Sequence, residues 1–90
     1  MAIAMYFQPK DFTRAKYDEA IRLLEEAGAA RPEGRSHHSS FGSDDAVMVY
    51  DIWDSQEEFE AFGETLIPIL TSLGVDPGQP DVMNVINVIQ

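Results

Sequence analysis

The side chains of this chain that could do chemistry are concentrated in two neighbouring stretches. His37 and His38, the only two histidines, lie in RSHHSSF, and Tyr50 and Asp51 lie in VMVYDIW. If both stretches are strands, adjacent side chains point to opposite faces of a sheet, so the two histidines cannot share one pocket or hold one metal ion. Histidine is a suitable general base near neutral pH. We therefore predict His38 and Tyr50 as a catalytic pair on neighbouring strands, and we predict no metal site.

Four further side chains are predicted to line a ligand pocket, and they are Tyr6, His37, Asp51 and Trp53. Asp51 alternates with Val49 and Trp53, so it shares a face with apolar residues, where its carboxylate needs a partner such as His37 or a backbone N–H. In the alternative, Asp51 is exposed at an edge of the sheet. Trp53 has an alternative role that we favour, in which the indole packs beneath the start of the next helix. Each histidine likewise has an alternative structural or surface role.

The clearest structural signal is the junction at which a strand, Val47 to Trp53, passes directly into a helix. Ser55 and Glu58 have the spacing of a capping box, in which the serine hydroxyl accepts the N–H of Glu58 and the carboxylate accepts the N–H of Ser55. Apolar residues then recur at steps of three and four, which predicts one buried face on a helix from Ser55 to about Leu73. These residues are Phe59, Phe62, Leu66, Ile69, Leu70 and Leu73.

Four other elements are indicated by apolar patterns and by the prolines and glycines that end them. On the first helix, Tyr17 belongs to the predicted buried face. The resulting order, βαββαβ, predicts a single ferredoxin-like α+β domain over residues 1–90, with a four-stranded antiparallel sheet and two helices on one face. The four elements are a strand from Ala2 to Gln8, a helix from Thr13 to Ala27, a strand from Arg35 to Phe41 and a strand from Val82 to Ile89.

Charge and composition exclude several classes of function. The net charge is −10, and no Lys or Arg follows Arg35, whereas ten Asp and Glu do. Nucleic acids and anionic membrane surfaces are bound through positive charge, so neither is a predicted partner. The chain has no cysteine, which excludes disulfides and thiolate chemistry. It shows neither a signal peptide nor an apolar run of membrane-spanning length, and we expect a cytoplasmic protein.

The last strand is apolar on both faces, which predicts that both faces of the sheet are covered. Two helices can cover only one face of a four-stranded sheet, and a second copy of the same sheet is the simplest cover for the other. Five Phe, three Tyr and one Trp are also many bulky groups for 90 residues to bury alone. The predicted partner is therefore a second copy of the chain in a homodimer.

With the junction YDIWDSQEEFEAFGETLIPIL, the chain resembles the dimeric α+β barrel superfamily. That superfamily includes antibiotic-biosynthesis-type monooxygenases, muconolactone isomerase-like enzymes and stress-responsive small barrel proteins, and the chain is most similar to an uncharacterised bacterial set of about this length. The resemblance implies a dimeric α/β barrel and a pocket between each sheet and its own helices. The haem-degrading members carry a Trp and a His on the second helix, where this chain has Phe59 and Phe62 and no histidine.

Two function classes follow from the resemblance. The first is a cofactor-independent monooxygenase or isomerase that acts on an aromatic or polyketide-like substrate. The second is a non-catalytic ligand-binding or stress-related module, in which the polar strand residues only satisfy the core. Both would bind a small apolar or aromatic ligand and need no cofactor, and a pocket filled by Phe and Leu side chains would favour the second.

Overall fold

Six elements follow one another in the order βαββαβ in the computed structural model, which describes residues 2–90. They are β1 (Ile3–Phe7), α1 (Arg14–Glu26), β2 (Arg35–Ser43), β3 (Ala46–Trp53), α2 (Gln56–Ser72) and β4 (Asp81–Asn84). The strands form one antiparallel sheet with the order β2-β3-β1-β4, and both helices pack on the same face of it. The predicted ferredoxin-like α+β fold is thereby confirmed. Neither helix in the described part of the chain is long and apolar enough to cross a bilayer.

Side chains at the start of both helices satisfy backbone N–H groups that have no partner within the helix. The Thr13 hydroxyl accepts the N–H of Lys16 at 3.2 Å, and the Ser55 hydroxyl accepts the N–H of Glu58 at 3.2 Å. The Ser55 hydroxyl also donates to the Glu58 carboxylate at 3.0 Å, so the carboxylate contacts the serine side chain where a bond to the Ser55 N–H was predicted. α2 therefore begins at the predicted cap.

The core lies between the sheet and the helices. Its two largest side chains with no exposed surface are Met5 on β1 and Trp53 on β3. Phe62 of α2 and Leu24 of α1 pack against them, so this cluster joins both helices to the sheet. A second buried cluster contains Phe12, Ala20, Val47, Leu70 and Val75.

A two-residue turn at positions 44–45 joins β2 to β3 and sets their register. Ser43 pairs with Ala46, so β2 continues two residues beyond its predicted end at Phe41. Gly42 has a φ of +116°, and a Cβ at this position would collide with the Ala46 carbonyl oxygen. Glycine is therefore required for this close approach of the two strands.

β4 is shorter than predicted, because it ends at Asn84 and not at Ile89. It lies at an edge of the sheet and pairs with β1, whose first residue, Ile3, is opposite Asn84. The N–H of Val85 still donates to the Ala2 carbonyl at 3.0 Å. Among residues 2–90, no strand lies beside the residues after Val85 to form a ladder with them.

Candidate functional site

A buried carboxylate and an imidazole face each other across β2 and β3. The register places His38 directly opposite Asp51, and His38 Nδ1 lies 2.6 Å from Asp51 Oδ1. The Asp51 side chain is 7% exposed, so its charge is almost removed from water. A hydrogen-bonded partner is what makes such burial tolerable. The predicted partner, His37, is wrong, and the adjacent histidine takes its place.

Tyr17 of α1 completes the arrangement from the opposite wall. Its hydroxyl lies 2.8 Å from His38 Nε2, and the two ring planes are parallel to within 2°. Phe12 packs edge-on against the same tyrosine, with ring centroids 5.8 Å apart. Tyr17 was predicted on the buried face of α1 but not in the site. The sequence did contain an indication of this contact, because a tyrosine on a buried helix face needs a hydrogen-bond partner for its hydroxyl.

These three side chains line a cavity between the sheet and the two helices. Its volume is about 80 Å³ and it is partly open to solvent. This is about half of the ~150 Å³ of an engineered apolar cavity that binds benzene, so there is room for one edge of a ring whose remainder lies in the opening. Apart from Tyr17, Arg35, His38 and Asp51, the walls are apolar, and they include Phe7, Phe12, Val49, Phe59, Phe62 and Leu66.

The predicted pair of His38 and Tyr50 is wrong, because Tyr50 lies on the opposite face of the sheet. Its ring packs edge-on against His37, with centroids 5.7 Å apart. Tyr6 is opposite Tyr50 in the register, and its hydroxyl lies 3.0 Å from Met48 Sδ on the same face. Three predicted site residues, Tyr6, His37 and Tyr50, are therefore outside the cavity, and Asp51 and His38 are within it.

Trp53 packs beneath the start of α2, which is the role that we favoured for it. It has no exposed surface, and its ring lies 5.5 Å from that of Phe59 and 5.4 Å from that of Phe62, centroid to centroid. The indole therefore packs beneath the start of α2 and does not line the cavity. Its N–H has no hydrogen-bond partner within residues 2–90.

Arg35 enters the cavity wall because of an irregularity in β2. Arg35 is opposite Trp53 and His37 is opposite Ile52, so Ser36 is an extra residue in a β-bulge. Positions 35 and 38 would lie on opposite faces of a regular strand, but the bulge brings both to the face under the helices. The guanidinium lies 5.6 Å from the centroid of the Phe62 ring.

The arrangement can accept a proton in a largely apolar space. A carboxylate at His38 Nδ1 holds the proton of the neutral ring on that nitrogen, which leaves Nε2 as the acceptor that faces Tyr17. If the tyrosine hydroxyl moves aside, Nε2 can take a proton from a ligand, and Asp51 stabilises the imidazolium that forms. In the part of the chain that the structure describes, no three His, Asp or Glu side chains converge to hold a metal ion.

No protein-family model and no curated protein sequence matches the chain, so the comparison depends on solved structures. SnoaB, a cofactor-independent oxygenase from Streptomyces nogalater, superposes with a TM-score of 0.63 over 98% of this chain and 94% of its own, at 14% identity. A protein from Nitrosomonas europaea, provisionally named an antibiotic biosynthesis monooxygenase, gives 0.64 over 97% and 100%, at 13% identity. The chain has the fold of the antibiotic-biosynthesis monooxygenases. A similarly named protein from Chloroflexus aurantiacus gives 0.62 over 99% and 95%, at 15% identity.

The resemblance predicted from the sequence is thus confirmed at the level of the antibiotic-biosynthesis-monooxygenase fold. Identities of 13–15% show a shared fold and not a shared reaction. Function must therefore be argued from the cavity and its side chains.

Proposed function

We propose that the protein is a cofactor-independent monooxygenase whose substrate is an aromatic, polyketide-like molecule with an acidic C–H or O–H group. The observation that supports this proposal best is the hydrogen-bonded series Tyr17–His38–Asp51 at the wall of an apolar cavity. A non-catalytic module has little use for an imidazole that is oriented on both nitrogens beside an apolar cavity that admits the edge of a ring. SnoaB shows that this fold supports oxygenation without a cofactor.

The first step is removal of a proton from the substrate by His38 Nε2. Positioned general bases contribute about 10²–10⁴ to a rate. Tyr17 must release Nε2 for the substrate, and Tyr17 also borders a polar surface depression that includes Ser40 and Asp44. Its hydroxyl can therefore pass the proton from the imidazole towards solvent. An isomerase would share this first step and return the proton at another carbon.

The second step is attack of the substrate carbanion on O₂. For a CH₂ group between two aromatic rings, loss of the first proton and addition of O₂ give a peroxide anion, and return of a proton from the imidazolium or from solvent gives a hydroperoxide. Loss of water from the hydroperoxide then gives a carbonyl, so that CH₂ and O₂ become C=O and H₂O. The substrate supplies all four electrons, and no further reductant is needed. Apolar walls such as Phe59 and Leu66 favour this step, because they keep water away from the carbanion.

The proposal predicts that the protein oxidises anthrone, whose CH₂ is acidified by the flanking rings. We expect one O₂ consumed for each anthraquinone formed, with one atom of ¹⁸O₂ in the new carbonyl and no hydrogen peroxide released. Oxygen uptake, absorbance of the quinone and mass spectrometry measure these quantities. The controls are anthrone without protein and protein without O₂. A rate equal to that of the spontaneous oxidation would contradict the proposal.

The homodimer remains part of the proposal, and the uncovered apolar surface supports it. Val82 and Met83 on β4 are about half exposed, and beyond the strand Ile86 and Ile89 are 98% and 89% exposed. The prediction that both faces of this strand are covered is therefore not met within one chain. A second copy would bury these side chains and provide a neighbour for the residues after Asn84.

A further inference from the structure

We infer that Arg35 is a specificity-determining residue that selects substrates with a carboxylate placed across the ring from the group that His38 deprotonates. The inference rests on the proposed function only for the role of His38. It depends on three features of Arg35, namely its place in the cavity wall, its lack of an acidic partner and the bulge at Ser36. The substrate class is therefore an aromatic acid.

The guanidinium of Arg35 forms no ion pair within residues 2–90. Within residues 2–90, the ion pairs of arginine are those of Arg14 with Asp18 and of Arg22 with two glutamates, all on the exposed surface of α1. Arg35 donates one hydrogen bond, from Nη2 to the Ala30 carbonyl at 3.1 Å, and its remaining N–H groups make none in the described chain. A half-buried guanidinium with free donors matches a carboxylate in both charge and shape.

The bulge places Arg35 and His38 on the same face of the sheet, at backbone positions that lie a short distance apart. The residues opposite Arg35 and His38 on β3 are Trp53 and Asp51, which are two positions apart. At about 3.3 Å per residue, the two side chains therefore leave the sheet roughly 7 Å apart on the same face. This spacing of the two backbone positions is comparable to the length of a ring that carries a hydroxyl and a carboxylate para to each other. Phe59 and Phe62 line the same cavity and offer apolar surface to a ring.

The other charge in the cavity favours this orientation. Asp51 is already paired with His38, so a ligand carboxylate at that end would meet a like charge. At the other end, the Arg35 guanidinium lies over the Phe62 ring, with Cζ 5.6 Å from the ring centroid, and supplies a positive charge. The two ends of the cavity therefore differ in charge. An aromatic acid binds with its carboxylate at Arg35 and its acidic group at His38.

The test compares two ligands that differ in charge and little else, 4-hydroxybenzoate and 4-hydroxybenzamide, by calorimetry or NMR titration. We expect the acid to bind at least about tenfold more tightly, which is the contribution of a charge-assisted hydrogen bond. Arg35→Gln should remove this preference and leave the affinity for the amide nearly unchanged. Arg35→Lys, which keeps the charge without the planar fork, should retain part of it.

The matched control is Arg31→Gln, which removes the same charge from an exposed residue four positions earlier and outside this cavity. We expect this variant to bind both ligands as the unmodified protein does. Equal affinities for acid and amide, no binding of the acid, or an equal loss in the Arg31 variant would overturn the inference. Because binding is measured without turnover, a selective but inactive protein would refute the oxygenase proposal and leave the role of Arg35 standing.

Discussion

Replacement of His38 by glutamine is expected to lower kcat/KM for oxygenation by about 10²–10⁴, the usual contribution of a general base. Glutamine can still donate a hydrogen bond to Asp51, so the buried carboxylate keeps a partner and the fold is retained. Its amide cannot take up a proton, so the first step of the reaction loses its base. Oxygen uptake with anthrone measures the loss, and circular dichroism checks that the variant is folded.

His37→Gln is the matched control for this prediction. His37 is the adjacent residue on β2, but its side chain lies on the other face of the sheet against Tyr50. We expect this variant to keep kcat/KM within about threefold of the unmodified protein, since surface and non-site substitutions rarely alter chemistry. Equal losses in both variants would show that the effect is structural. An unchanged rate in His38→Gln would remove His38 from the reaction.

Phe62→Ala is expected to lower the free energy of unfolding by about 3–5 kcal/mol, as is usual when a large aromatic side chain is removed from a core. Phe62 is buried and contacts Trp53, and the Arg35 guanidinium lies over its ring. The truncation also joins a new void to an existing cavity, so the surrounding side chains cannot close the gap. Chemical denaturation followed by tryptophan fluorescence measures the change.

Phe41→Ala provides the comparison, because it removes the same atoms from a side chain that is 46% exposed at the far end of β2. Its expected cost is about 1 kcal/mol or less in a single chain. A loss of similar size for the two variants would mean that the interior between sheet and helices is not the main source of stability. A loss below about 1 kcal/mol for Phe62→Ala would place that ring outside the core.

Much of the fold could be predicted because local rules and tertiary packing agree for these elements. The capping box at Ser55 and Glu58 locates the start of α2, and the steps of three and four from Phe59 identify the face that it buries. The glycine at 28, with φ of +72°, ends α1 as expected. Such signals depend on residues close in sequence and need no knowledge of strand pairing.

The partners within the site could not be predicted, since they depend on register. In the observed hairpin His38 is opposite Asp51, whereas a loop one residue different in length can place it opposite Tyr50, and the sequence does not fix the length of the loop. The bulge at Ser36 could not be predicted either, because no residue type in this stretch is typical of a β-bulge. Without the bulge, Arg35 would lie on the other face of the sheet, and sequence reasoning had no ground on which to include it.

The length of β4 was overestimated for a related reason. The residues from Val82 to Ile89 have the composition of a strand. Composition indicates that a segment can form a strand, but not that a partner strand is available. Pairing itself needs a neighbouring strand, and within residues 2–90 the ladder that β1 forms with β4 covers only Asp81–Asn84. The apolar residues after Asn84, such as Ile86 and Ile89, are therefore not buried within a single chain.

The central claim, that Asp51 and Tyr17 hold His38 as an oriented base, is tested most directly by ¹H–¹⁵N NMR of the imidazole ring. We predict that the neutral ring carries its proton on Nδ1, with a strongly downfield, slowly exchanging signal that is absent from His38→Gln, and that Nε2 is an unprotonated acceptor. The ring of His37 serves as the internal comparison. A proton on Nε2 with a bare Nδ1, or exchange as rapid as that of an exposed histidine, would contradict the account.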